Sequence, residues 1–182
     1  MAPGVQVGEA QFPGSVRAAL WRGTAASFVD FNPSGQFSMF LATTGRVHVG
    51  LLTQSNLGRA AINFGAPTAW LGLHQFLPAE YGSFSSANAV YQDGDRIYVG
   101  GWAESSQTSY HNAILWIGTD PCYPNCDGST AEPSLNVVDF ICFLNLFSRG
   151  DGYANCDRST MTPVLNVGDF VCFLNRFAAG CS

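Results

Sequence analysis

Lysine is absent from this chain: all 8 cationic side chains are arginine, set against 13 acids for a net charge of −5. A mildly acidic chain with no basic run is poorly suited to nucleic acid or to an anionic membrane surface. Charge of either sign is scarce, at 12% of residues, while 47% are hydrophobic and 13% aromatic, a balance that excludes an intrinsically disordered chain. No apolar run is long enough to span a bilayer as a helix. The opening residues, Met1-Ala2-Pro3-Gly4-Val5, lack the basic and apolar regions of a signal peptide. A Gly-x-Ser-x-Gly elbow, a His-Glu-x-x-His pair and a phosphate loop are missing too, so the expectation is a protein that is not an enzyme. His48, His74 and His111 are scattered and read as surface or strand residues rather than ligands or bases.

Cysteine is missing from the first 121 residues, and then all 6 fall between Cys122 and Cys181. An even number packed so closely reads as a disulfide framework of an oxidising compartment, which predicts an extracellular or cell-surface location. Without a visible signal peptide, that leads to the expectation that the chain begins inside a longer secreted protein. Acidity is concentrated in the same region, with seven acids against three arginines from Asp120 onward.

Residues 1–118 read as short strands separated by turns. Predicted strands are Arg17–Trp21, Phe37–Thr43, Arg46–Leu52, Ala60–Phe64, Ala87–Gln92, Arg96–Trp102 and Ala113–Ile117. The turn signals are Asn32-Pro33-Ser34-Gly35, Thr44-Gly45, Asn56-Leu57-Gly58 and Asp93-Gly94-Asp95, the last marking the clearest hairpin. Val7-Gly8, Val49-Gly50 and Val99-Gly100 recur, as do Arg17-Ala18-Ala19-Leu20-Trp21, Arg59-Ala60-Ala61-Ile62-Asn63 and Asn112-Ala113-Ile114-Leu115-Trp116. A strand-and-turn repeat of this length is propeller-like. The segment resembles extracellular repeats in which a Val-Gly … Ala-x-Leu-Trp-x-Gly pattern marks each blade, with Asn63 departing in the middle copy. Too short for a closed ring, it is expected to be a truncated array, an open stack, or blades that self-associate with other chains. Trp21, Trp70, Trp102 and Trp116 are expected in blade cores, with sugar stacking as the rival role.

Composition changes at Thr119-Asp120-Pro121, so 119–182 is expected to be a separate module. Within it, residues 125–147 and 155–177 align without gaps, and sixteen of 23 columns are identical. Asn125, Asp127 and Ser129 set oxygen donors at alternate positions, as do Asn155, Asp157 and Ser159, the way a tight loop wraps a hard cation. Asn136 with Asp139, and Asn166 with Asp169, stand where a helix would start. An apolar stripe at helical spacing follows: Val137, Phe140, Ile141, Leu144 and Phe147, matched by Val167, Phe170, Val171, Leu174 and Phe177. Gly150 and Gly180 stand as helix stops. Each repeat thus predicts a ligand loop and one short helix, the two helices packing together. The same oxygens would equally serve Asx turns and helix caps without a metal.

These residues resemble a dockerin, of the variant ending in Gly-Cys found on secreted proteins of some environmental bacteria. The resemblance implies a small all-α, EF-hand-like module of two F-hand repeats that binds two calcium ions. It implies as metal ligands Asn125, Asp127, Ser129, Asn136 and Asp139, and in the second repeat Asn155, Asp157, Ser159, Asn166 and Asp169. Here the loop from Asn125 to Asp139 spans 15 residues where an EF-type loop has about 12, Thr130 or Thr160 replaces the sixth-position glycine, and the carbonyl ligand is expected near Ser134 and Val164. With two carboxylates per loop, affinity is expected on the order of 10⁻⁵ to 10⁻³ M. The favoured cysteine pairing is Cys126–Cys142, Cys156–Cys172 and Cys122–Cys181, with crossed pairings open among fifteen connectivities and a zinc site at Cys122-x₃-Cys126 as the rival.

A dockerin implies a protein receptor, cohesin-like or another cell-surface protein. Val137-Val138 and Val167-Gly168 stand where cellulosomal dockerins carry hydroxyl pairs, which argues against a cellulosome-type cohesin. Phe140, Phe143, Phe170 and Phe173 are expected in the core, one of each pair being a candidate partner contact. The rival functions are a fragment of a carbohydrate-active enzyme, with Glu80, Asp93, Asp95 and Glu104 as its scattered acids, and a carbohydrate-binding propeller.

Overall fold

The computed structural model describes residues 4–33, 35–67, 69–108, 110–129 and 132–181. The ten strands are β1 (Gln6–Phe12), β2 (Ser15–Trp21), β3 (Val29–Asp30), β4 (Ser38–Thr43), β5 (His48–Gln54), β6 (Leu57–Asn63), β7 (Trp70–Gly72), β8 (Ser85–Asp93), β9 (Arg96–Glu104) and β10 (His111–Thr119). The two helices are α1 (Val137–Ser148) and α2 (Val167–Ala179). Contacts divide the chain into two compact units, Met1–Val90 with Tyr98–Trp116, and Tyr91–Ile97 with Ile117–Ser182.

The strands form three sheets, ordered β1-β2-β3, β4-β5-β6-β7 and β10-β9-β8. This corrects the propeller-like expectation: only one sheet has four strands, and the described residues form no propeller. What recurs in the sequence is one antiparallel hairpin. Val7 and Gly8 of β1 face Leu20 and Ala19 of β2, just as Val49 and Gly50 of β5 face Ile62 and Ala61 of β6. Small residues recur because backbones approach closely; a Cβ on Gly50 would stand 2.0 Å from the Met39 carbonyl oxygen. Between β5 and β6 the turn is Ser55-Asn56, both at positive φ, one residue earlier than the sequence signal. The turn expected at residues 32–35 includes Ser34, outside the described residues.

Within the first unit two hydrogen bonds repeat. Ala18 N donates to Ser38 Oγ (3.0 Å) and Ala60 N to Ser85 Oγ (2.9 Å). Trp70 Nε1 donates to the Phe31 carbonyl (2.8 Å) and Trp116 Nε1 to that of Leu73 (3.1 Å). Each satisfies a polar group that would otherwise cost free energy on burial. Ala18, Leu20, Phe31 and Phe40 form one core, with Phe40 stacked on Trp70 at 4.8 Å.

In the second unit the helices pack through Phe143 and Phe173, both fully buried and stacked at 4.2 Å. The predicted stripe is therefore split: Phe140, Phe147, Phe170 and Phe177 pack against the core, while Val137, Ile141, Leu144, Val167, Val171 and Leu174 are exposed. The inward face carries Asp139, Phe140, Cys142, Phe143, Leu146 and Phe147 on α1, and Asp169, Phe170, Cys172, Phe173 and Phe177 on α2. Helices apolar on nearly every side leave the buried face to be chosen by other groups; here the cysteine bridges and Asp139 and Asp169 turn inward. Tyr123 and Tyr153 stack at 4.7 Å, and each hydroxyl donates to the other's carbonyl oxygen, Tyr123 to Tyr153 at 2.7 Å. Their burial raises the Tyr123 hydroxyl above its usual range. The bridges are Cys126–Cys142, Cys156–Cys172 and Cys122–Cys181, with Cα atoms 5.8, 5.8 and 4.7 Å apart, and no cysteine is free for zinc.

The all-α, EF-hand-like expectation is also corrected. Each loop leads into a helix but none leads into it: the first follows turn residues, and the second follows a single 3₁₀ turn, Gly152–Ala154. The unit also includes the strand ends and turn of Tyr91–Ile97.

Candidate metal centre

Both loops take the same course. Asp127 Oδ1 accepts from Ser129 N (2.8 Å), an Asx turn, and Asp157 Oδ1 accepts from Ser159 N (2.8 Å). The fourth loop position is left-handed in each, as Gly128 (φ 67°) and as Arg158 (φ 59°). Asn136 and Asn166 are the helix N-caps: Asn136 Oδ1 accepts from Val138 N (2.8 Å), and Asn166 Oδ1 from Gly168 N (2.7 Å). Asp139 and Asp169 complete the capping boxes by accepting from the Asn136 and Asn166 amides at 2.8 Å. Their second oxygens accept from the Asp127 and Asp157 amides at 3.2 Å.

Capping explains Asn136, Asn166 and half of the role of Asp139 and Asp169. Two features remain. Asp139 and Asp169 are wholly buried, and each lies against a second carboxyl, Asp127 or Asp157. Burial, above all, raises the Asp139 carboxyl above its ordinary range; the Asn136 and Asp127 amides oppose this, and the Asp127 carboxylate adds to it. Asp169 is raised for the same reasons. A buried carboxylate facing a second carboxylate is costly unless a cation or a proton joins them. In addition, Asn125 Oδ1 and Asn155 Oδ1 are buried and accept no hydrogen bond, while their Nδ2 groups donate to the Ser129 (2.9 Å) and Ser159 (3.3 Å) carbonyls. A buried acceptor without a donor costs about 1–3 kcal/mol, and here the defect occurs twice at matching positions.

The donor set is therefore oxygen only, two carboxylates with an amide and a hydroxyl, which suits a hard cation such as calcium. No cluster of three or more His, Cys, Asp or Glu side chains is placed to hold a metal among the described residues; each loop brings two carboxylates together. Thr130, the sixth residue of the first loop, lies outside the described residues. Of the other acids, Asp93 and Asp95 belong to the second unit and are bound within it: Asn155 Nδ2 donates to Asp93 Oδ1 (2.9 Å), and Arg176 pairs with Asp95 (2.6 Å). The sequence pattern gives no hint of the Tyr123–Tyr153 pair until the repeat alignment is extended two columns upstream, where both are tyrosine.

No family model, no curated protein and no solved structure matches the chain.

Proposed function

We propose that the second unit is a calcium-dependent docking module, similar in plan to a dockerin, on a secreted or cell-surface protein without catalytic activity. The observation that carries this is a wholly buried carboxyl, Asp139 or Asp169, held against a second and less buried one, Asp127 or Asp157, with a buried and unbonded amide oxygen in the same loop, and it is present in both loops. Calcium supplies the positive charge that such a pair calls for. Asp127 with Asp139, and Asp157 with Asp169, would hold the ion together with Asn125 and Ser129 or Asn155 and Ser159. Asn136 and Asn166 cap the helices and hold Asp139 and Asp169 in place, which fixes α1 and α2 against each other.

Docking falls to the exposed apolar residues Val137, Ile141 and Leu144 on α1, and Val167, Val171 and Leu174 on α2. Exposed apolar groups at one helical spacing mark a surface that a partner covers. The partner is a protein receptor with an apolar face, cohesin-like or another cell-surface protein. Three disulfides suit an oxidising location, and no helix among the described residues is long and apolar enough to cross a membrane.

Thermal melting tests the metal. With the affinity expected from two carboxylates per loop, 10 mM calcium stabilises each loop by about 1.5–4 kcal/mol. Melting is expected to rise with calcium, to fall on chelation, and to be insensitive to calcium in the Asp127→Asn, Asp157→Asn double variant. An unchanged melt across these conditions contradicts the proposal.

A further inference from the structure

The two loops share their own residues but not their surroundings. Asn155 is 5% exposed and its Nδ2 donates to Asp93 Oδ1 at 2.9 Å as well as to Ser159; Asn125 is less buried and donates only to Ser129. The segment Tyr91–Ile97, which belongs to the same compact unit, contacts the start of the second loop. Gly94 N donates to the Gly152 carbonyl (2.9 Å), and a Cβ on Gly94 would stand 2.4 Å from the Asn155 carbonyl oxygen. Asp120 N donates to the Asp95 carbonyl (2.7 Å), and Gln92 Nε2 to Asp120 Oδ2 (3.2 Å). The nearly buried Asp95 carboxylate pairs with Arg176 at 2.6 Å and lies 3.8 Å from Arg158.

Two of the seven columns in which the repeats differ are thereby explained. Arg158 and Arg176 both face Asp95, where the first repeat has Gly128 and Leu146. Arg158 holds a left-handed backbone conformation that glycine adopts without cost in the first loop.

We propose that the Tyr91–Ile97 turn is a positioning element for the second loop, with Asp93 acting through Asn155, so that this loop is the tighter of two unequal calcium sites. The inference rests on the calcium reading above. Two effects act in one direction. The turn fixes Asn155 before the ion arrives, which lowers the ordering cost of binding. A carboxylate accepting from the amide Nδ2 draws charge onto Oδ1 and makes it a better donor to a cation, as outer partners do at metal sites. The second loop's Asn155 and Ser159 also line a cleft with Asp93 and Asp151.

Calorimetric calcium titration of the full chain tests this. The Asp127→Asn chain, which keeps the second site, is expected to bind about tenfold more tightly than the Asp157→Asn chain, which keeps the first. Adding Asp93→Ala should weaken the second site about tenfold and leave the first unchanged, the first site reporting that the unit is still folded. Gly94→Ala should do the same by displacing the turn rather than removing a charge. Sites within twofold of each other, a tighter first site, or an Asp93→Ala effect on both sites or neither overturns the inference. Absence of calcium binding in every chain overturns the calcium reading itself, and this inference with it.

Discussion

The first compact unit is held by strand pairing and by two hydrogen bonds that recur between its sheets, whereas the second leans on three covalent bridges around a core of Tyr123, Phe143, Tyr153 and Phe173. The first unit has no cysteine and buries a histidine; the second has every cysteine and buries four carboxyls, those of Asp95, Asp120, Asp139 and Asp169. The contrast teaches how a short segment with little apolar interior acquires a definite structure: cross-links substitute for core size. It also means that the two units should respond to different stresses.

Reduction combined with chelation is the strongest way to separate them. The two 16-residue bridges contribute about 3 kcal/mol each and the 59-residue bridge about 4 kcal/mol. Near-ultraviolet circular dichroism from the second unit is expected to vanish, while the strand signal of the first persists. Simultaneous loss of both signals breaks the comparison.

Within the second unit, Phe143→Ala and Phe173→Ala should each cost about 4 kcal/mol, because both rings are fully buried at the helix contact. Urea unfolding followed by tail-specific proteolysis measures this, and equal costs are expected from the symmetry. Arg176→Leu, which installs the residue of the first repeat, leaves the Asp95 carboxylate with only the more distant Arg158. That should cost about 3 kcal/mol by the same measurement, and Leu146→Arg in the first repeat gains no matching ion pair.

Acid should act on the units with opposite sign. Burial, reinforced by Arg22 and Arg46, pushes His48 from 6.5 down to about 4. The unfolded chain binds this proton near 6.5 and the folded chain only near 4. The stability that His48 contributes is therefore whole above about 6.5 and is lost as pH falls toward 4, by about 2.5 kcal/mol at about pH 4.5. Asp139 and Asp169 are raised, chiefly by burial, so the calcium-free second unit gains stability as pH falls through their folded values. Melting of the first unit followed against pH, with His48→Gln as the flat control, checks the larger of these effects.

Much of this contrast is legible in the sequence, and the exceptions have physical causes. Each of the seven predicted strands overlaps an observed one, and the repeat marks both helix starts through Asn136 and Asn166. Missed are β1, whose residues are half-exposed and mixed, and β3 and β7, which are two and three residues long. The propeller reading takes a recurring hairpin for a recurring blade, since Val-Gly opposite Ala-Leu or Ala-Ile fixes only a register. Which helix face is buried is hidden because Val137, Ile141 and Leu144 are as apolar as Phe143 and Leu146. The pairing of Asp93-Gly94-Asp95 with the second loop is hidden because a turn motif reports local geometry and not what packs on it. The trace it leaves, arginine at 158 and 176 against glycine and leucine in the other repeat, becomes readable only once the fold is known.

Calcium bound per chain, measured at equilibrium by dialysis against millimolar calcium, tests the central claim most directly. The expected result is two ions per chain, falling to one in Asp127→Asn and to one in Asp157→Asn; a chain that retains none contradicts the account.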